Sequence, residues 1–174
     1  MPYPDVRELS ALTQDELIER DLLVVVDWRA EEEEVVADFA AHLADGDSLD
    51  AEAKDGDAYE LWVRYNGEAS RLPLTESQAD RYVTICSLAS ILSQKYEIRG
   101  LRSSLRDDTH LFMILTRADW AALERERSTW CSKTFEPLAM GIDGFHGGRV
   151  PFVGQPAAPL TPGPKKPWWA FWRR

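Results

Sequence analysis

Apolar residues in this chain fall into two kinds of run, and the alternation between them sets the expected order of elements. Leu9, Leu12, Leu17 and Ile18 recur at loosely helical spacing, which predicts a short helix over 6–20. Within it, Thr13-Gln14-Asp15-Glu16 has the pattern of a capping box that restarts the helix. The aliphatic run 22–26 is continuous and rich in valine, as a buried strand requires. Residues 31–43 return to helical spacing, with Val35, Val36, Phe39, Ala40 and Leu43 on one stripe and Glu31 to Glu34 in the first turn. The stretch 44–58 offers only Leu49 to bury among Asp, Gly and Ala, and reads as a mobile acidic loop.

The clearest local signal is Asn66-Gly67 between two strand-like runs, 60–65 and 68–74. Asn-Gly supplies both positive-φ positions of a two-residue hairpin turn. That turn sets Tyr65 opposite Glu68, Val63 opposite Ser70 and Leu61 opposite Leu72, and Pro73 places the second strand at an edge or at its end. Thr75-Glu76-Ser77-Gln78 has the form of a capping box opening a helix on which Ala79, Tyr82, Val83, Cys86, Ala89, Ile91 and Leu92 keep helical spacing. Residues 96–101 alternate as a strand, 102–108 form a polar turn, and 110–115 are an apolar run expected at the centre of a sheet. Thr116 and Asp119 then cap a helix carrying Trp120, Leu123, Arg127, Trp130 and Cys131, with Phe135 beyond them and Glu136-Pro137 as its stop. Between 141 and 167, six Gly and six Pro interrupt both helix and interior sheet, so this segment is expected to be a linker.

The fold class expected is α+β: one acidic domain over 1–140, with about five mostly antiparallel strands and four helices. A Pro/Gly-rich linker (141–167) and a Trp-rich basic tail (168–174) follow it. At 174 residues and 44% apolar content, the chain can build one real core. Its net charge of −10 is unevenly placed. Residues 31–60 hold twelve carboxylates against Lys54, whereas 165–174 carry four cations and no acid. The body therefore disfavours nucleic acid and anionic membranes, and the tail attracts both. The first residues lack the cationic and apolar regions of a signal peptide, so a cytoplasmic location with two unpaired thiols, Cys86 and Cys131, is expected.

No cofactor is implied, and no metal: His42, His110 and His146 have no partners at ligand spacing. Glu97, Arg99, Arg102, Asp107, Asp108 and His110 gather around one expected strand pair. If the protein is an enzyme, Glu97, Asp108 and His110 are the residues of choice for a hydrolase or nuclease. Charged residues in alternation also mark the solvated face of a hairpin, and that simpler account is preferred. Gly144-Phe145-His146-Gly147-Gly148 is glycine-rich but lacks the flanking strand and helix of a phosphate loop.

The sequence favours a non-enzymatic interaction protein, an adaptor or an immunity-like chain. Glu31, Glu32, Glu33, Glu34, Asp45 and Asp47 would face a basic protein partner, with charge setting on-rate and specificity. Trp168, Trp169, Phe171, Trp172, Arg173 and Arg174 would form a separate docking anchor, since Trp and Arg dominate interface energetics. The same tail suits self-association, intramolecular docking, or weak attachment to an anionic membrane at ~1 kcal/mol per cation; a membrane-surface adaptor is thus a third class. In size and acidity the chain is similar to immunity proteins that plug basic nucleases and to class I secretion chaperones. It shares no motif with either, so no residue role is carried over from them.

Overall fold

The computed structural model describes residues 6–9, 11–54 and 59–156. The elements run α1 (Val6–Leu9), α2 (Gln14–Glu19), β1 (Val24–Asp27), α3 (Glu32–Ala41), β2 (Leu49–Lys54), β3 (Glu60–Tyr65), β4 (Glu68–Arg71), α4 (Asp80–Ile91), a 3₁₀ turn (Leu92–Gln94), β5 (Tyr96–Leu101), β6 (Thr109–Thr116), α5 (Arg117–Thr134) and β7 (Phe135–Pro137). They build two antiparallel sheets, a four-stranded one in the order β1-β6-β5-β7 and a three-stranded one in the order β2-β3-β4. The expected α+β class with antiparallel pairing is what the chain adopts.

The four-stranded sheet is covered on both faces, because side chains along a strand alternate between them. Ile98, Phe112 and Ile114 join Val35, Phe39, Ile85, Leu88, Leu61 and Val63 in the larger core, which α3 and α4 share with the inner face of the small sheet. Leu101, Met113 and Leu115 face the other way, into a second core with Leu9 of α1, Leu17 of α2, Trp120 and Leu123 of α5 and Phe135 of β7. The strand 109–116 is central, as its apolar run required.

Several expectations change. The helix over 6–20 is broken into α1 and α2, and Thr13 restarts it through the capping box: its backbone N–H donates to Glu16 Oε2 (2.7 Å) and its hydroxyl accepts from the Glu16 N–H (3.3 Å). The stretch 44–58 is not simply a loop. Leu49 and Ala51 turn toward the larger core while Asp50, Glu52 and Lys54 point outward, and β2 pairs with β3 over Leu49–Lys54. Its period of two was hidden because the inward side chains after Leu49 are only alanines. The hairpin has the expected register, Tyr65 opposite Glu68 and Val63 opposite Ser70. Beyond the ladder, the Leu72 N–H still donates to the Leu61 carbonyl (2.9 Å).

Thr75 does not cap the following helix. The Asp80 carboxylate accepts from the Thr75 N–H (2.8 Å), the Thr75 hydroxyl (2.6 Å) and the Ser77 N–H (3.2 Å). Residues 75–79 therefore close as a turn, with Glu76 at φ 57°, and α4 begins four residues later than expected. At the other end, α5 breaks at Arg127 (φ −139°, ψ 45°), and Glu136-Pro137 extends into edge strand β7, where a residue without an N–H is tolerated.

The boundary drawn after residue 140 falls within packed chain. Residues 141–156 lie along the body: Val150 is buried, and Phe145, Phe152 and Val153 pack on the larger core. Ile142 and Arg149 pair across a tight turn. Proline and glycine exclude ladder-rich structure there, but a few well-placed apolar residues are enough to hold an arm down. The rest of the expected linker and all of the tail lie outside the described residues.

Candidate functional site

The structure separates the residues singled out around 97–110. Glu97 and Arg99 project from β5 on the side of the last helix. There Arg99 Nε donates to Glu97 Oε1 (2.6 Å) and a terminal nitrogen to Glu124 Oε1 (2.7 Å), with the guanidinium 4.1 Å above the Trp120 ring. His110 lies on the opposite face of the same sheet, in line with Phe112. A catalytic group made of Glu97 with His110 is thus not brought together. Arg102 is a strut, donating to the carbonyls of Ser132 (3.0 Å) and Phe135 (3.1 Å) and pairing with Glu136 (2.6 Å).

Asp107, Asp108 and His110 do share a surface cleft of about 340 Å³, which Trp28, Leu105, Arg106, Gly144, Phe145 and His146 complete. Four parts of the chain meet here. The end of β1 contributes Trp28, whose N–H donates to the Asp108 carbonyl (2.9 Å). The β5–β6 turn contributes Asp107 and Asp108, both exposed. The strand β6 contributes His110, only 1% exposed. The arm contributes the turn 143–148, closed by the Gly147 N–H on the Asp143 carbonyl (2.6 Å) and the Asp143 N–H on the Gly148 carbonyl (2.8 Å).

Under the cleft, His110 is fixed on every side. Tyr82 Oη is hydrogen-bonded to its Nδ1, the Phe145 ring stacks on it at 4.1 Å and 22°, and Tyr82 meets Phe145 edge-on at 5.1 Å. Burial lowers the pKa of His110 and raises that of Tyr82, so near neutrality both are uncharged. Gly144 is required for this packing, because a Cβ there would sit 2.0 Å from Tyr82 Oη, and that hydroxyl is held by His110.

Asp143 is the buried acid of the arm, 2% exposed. One oxygen accepts from the Phe145 N–H (2.9 Å) and the His146 N–H (3.3 Å), and the other is 2.8 Å from His146 Nδ1. The His146 ring is half exposed at the cleft. A carboxylate on Nδ1 fixes the ring and leaves Nε2 as its outward nitrogen. Sequence reading named His146 and set it aside, and it missed Asp143, Tyr82 and Trp28 as parts of one site. The available signal was Asp143-Gly144, a turn pair, ahead of an aromatic and a histidine.

The expected acidic face is divided. Glu31 to Glu34 sit at the start of α3, where the Glu34 carboxylate accepts from the Glu31 N–H (3.3 Å). Arg81 Nε reaches the Ala30 carbonyl (3.3 Å), which brings the start of α4 and its Asp80 alongside. Burial, with the nearby charges of Asp80 and Glu31, raises the pKa of Glu32. Burial raises that of Tyr59, helped by its hydrogen bond to Glu33 and by the nearby charges of Glu33, Glu32 and Glu31. This end of the molecule is therefore crowded with like charge. Asp45 is exposed. Asp47 is instead used inside the fold: it accepts from Lys95 Nζ (2.6 Å), Tyr96 Oη and Asn66 Nδ2 (3.1 Å). Burial opposes its charge, but those donors outweigh burial and hold its pKa at about 2. Trp168, Trp169, Phe171, Trp172, Arg173 and Arg174 lie outside the described residues.

Other hollows lie elsewhere on the described surface. One, about 140 Å³ and largely apolar, lies between Gly100, Leu105, Phe112, Leu138 and Ile142. The second, about 380 Å³, opens on the outer face of the small sheet around Trp62, where Asp50, Glu52, Lys54 and Arg64 balance one another. Among the described residues, no three His, Cys, Asp or Glu side chains converge as a metal site would, and no helix is long and apolar enough to cross a membrane. No protein-family model, curated protein or solved structure matches the chain.

Proposed function

We propose that this protein is a non-enzymatic binding module that takes a basic segment containing aromatic side chains. Its working surface is the cleft at Trp28, Asp107, Asp108, Phe145 and His146, with the acidic start of α3 beside it. The single observation that carries the reading is the pairing of aromatic walls with exposed carboxylates at one open cleft. An arginine in such a site meets carboxylates and ring faces together, which is how Arg and aromatic anchors make interface hot spots. Trp28 already holds one guanidinium this way, with Arg29 at 4.7 Å from its ring. The four glutamates at 31–34 follow Trp28 by only three residues, so a basic partner is drawn toward the cleft it will occupy.

A synthetic peptide of alternating Arg and Trp, titrated into the full-length chain, tests this. Raising salt from about 50 to 500 mM should weaken binding more than ten-fold, since exposed charges are screened within ~10 Å or less. Trp28→Ala should weaken it by roughly 30-fold, the loss of about 2 kcal/mol typical of a hot-spot aromatic. Asp107→Asn with Asp108→Asn should lower the salt dependence. Binding that ignores both salt and Trp28 would remove this cleft from the account.

A second reading has its own observation. His146 at 2.8 Å from buried Asp143 is an oriented imidazole at the mouth of a cleft, the arrangement a general base needs to activate water. It replaces Glu97 and His110 in the hydrolase alternative and keeps Asp108. Hydrolysis of an ester or phosphoester that survives His146→Ala and Asp143→Asn would exclude it.

A further inference from the structure

We infer that the C-terminal segment Trp168-Trp169-Ala170-Phe171-Trp172-Arg173-Arg174 occupies the cleft of its own chain and must leave it before a partner binds. The inference rests on the binding reading above and names the occupant of the same site. Three observations favour this segment.

The first is chemical. The cleft presents Trp28, Phe145 and His146 as ring surfaces and Asp107 and Asp108 as charges, with Arg106 the only Lys or Arg among its described lining residues. At about 340 Å³ it lies near the lower end of small-ligand sites, roughly 300–1,000 Å³, and suits one or two side chains rather than a folded surface. The chain's own end has three tryptophans, one phenylalanine and two arginines in seven residues.

The second is reach. The arm runs along α4, where the Val153 N–H donates to Ser87 Oγ (3.2 Å), and the described chain stops at Pro156. Tyr82, whose ring supports Phe145 beneath the cleft, stands on the same helix five residues before Ser87, about 8 Å along its axis. Eleven residues, and so twelve Cα–Cα steps, separate Pro156 from Trp168. Twelve steps cover up to ~40 Å of chain, so length alone allows the segment to reach the cleft.

The third is charge. Residues 1–164 carry −14 and residues 165–174 carry +4. The approach is attractive, and a tether of this length supplies an effective concentration in the ~mM range, which favours docking within one chain over docking between chains at micromolar protein.

Hydrogen–deuterium exchange on the full-length chain and on its Trp168→Ala/Trp169→Ala/Trp172→Ala variant tests the inference, since the three substituted positions lie outside the residues that line the cleft. Exchange at 105–110 and 143–148 should be slower in the wild-type chain by about two- to ten-fold, as expected for a weak contact at millimolar effective concentration. The protection should persist on dilution, and the variant should bind the Arg/Trp peptide more tightly by a similar factor. Equal exchange in both chains, protection that maps to other residues, or protection lost on dilution would overturn it. So would tail-dependent sedimentation with anionic vesicles in the absence of cleft protection. If the peptide binds neither chain while the protection remains, the partner reading fails and self-docking stands.

Discussion

Asp47 shows how far a side chain's role depends on what folds around it. In the sequence it is one of twelve acids in an acidic stretch, and nothing distinguishes it from Asp45. In the fold it ties the turn after α3 to the β3–β4 hairpin through Asn66 and to the start of β5 through Lys95 and Tyr96. Its pKa of about 2 is depressed from the ordinary aspartate value near 4, so the stability it contributes is present above about pH 4 and is lost as pH falls through 2. Asp47→Asn should therefore cost roughly 1 kcal/mol at pH 7 once solvent screening is allowed for, and the cost should shrink toward pH 2. Urea denaturation at pH 7, 4 and 2.5 reads this directly. His110 makes the same point in reverse. A histidine among carboxylates looked chemical, whereas its neighbours hold it neutral and immobile; His146, dismissed as linker, is the exposed one.

Elements whose cause is local could be read from the sequence. Asn66-Gly67 fixed the hairpin register because both residues adopt positive φ, at 48° and 88°. Asn66 does more than turn: its side-chain oxygen accepts from the Ser48 N–H (2.9 Å), joining this turn to the strand before it. Gly67→Ala meets no atom within 4 Å, so its cost is conformational alone, about 1 kcal/mol. Asn66→Ala loses the hydrogen bonds as well and should lower the melting temperature further than Gly67→Ala. Calorimetry on the two variants tests that order. Elements formed by partnership were harder to see. The strand Leu49–Lys54 exists because β3 offers it a ladder, and β7 because the edge of β5 was open. The start of α4 moved because Asp80 captured the turn that Thr75 was expected to begin.

For the molecule as a whole, the arm over 141–156 is the decisive addition, since it brings Asp143, Phe145 and His146 to a surface already made by Trp28, Asp107 and Asp108. Its hold should depend on pH. His110 is faced by Tyr82, the rings of Phe112 and Phe145, and the nearby acids Asp107 and Asp143, and burial depresses its pKa. A base with a depressed folded pKa contributes fully above its unfolded pKa of about 6.5 and loses that contribution as pH falls below it. Stability should drop by up to roughly 1 kcal/mol between pH 7.5 and 5.5, and His110→Phe combined with Tyr82→Phe should flatten that change. Denaturant midpoints at the two pH values provide the check, and an equal slope in the double variant would refute the assignment to His110. The sequence alone determined the α+β class, the hairpin, a central strand around 110–115 and the charge asymmetry, because each follows from spacing, turn chemistry or composition within a few residues. Tertiary structure alone decided which face of the sheet each charged side chain occupies, that Asp47 is internal, and that a glycine-rich arm completes a cleft. Those outcomes depend on contacts between residues tens of positions apart, where no local rule chooses the partner and only the packing of both cores does.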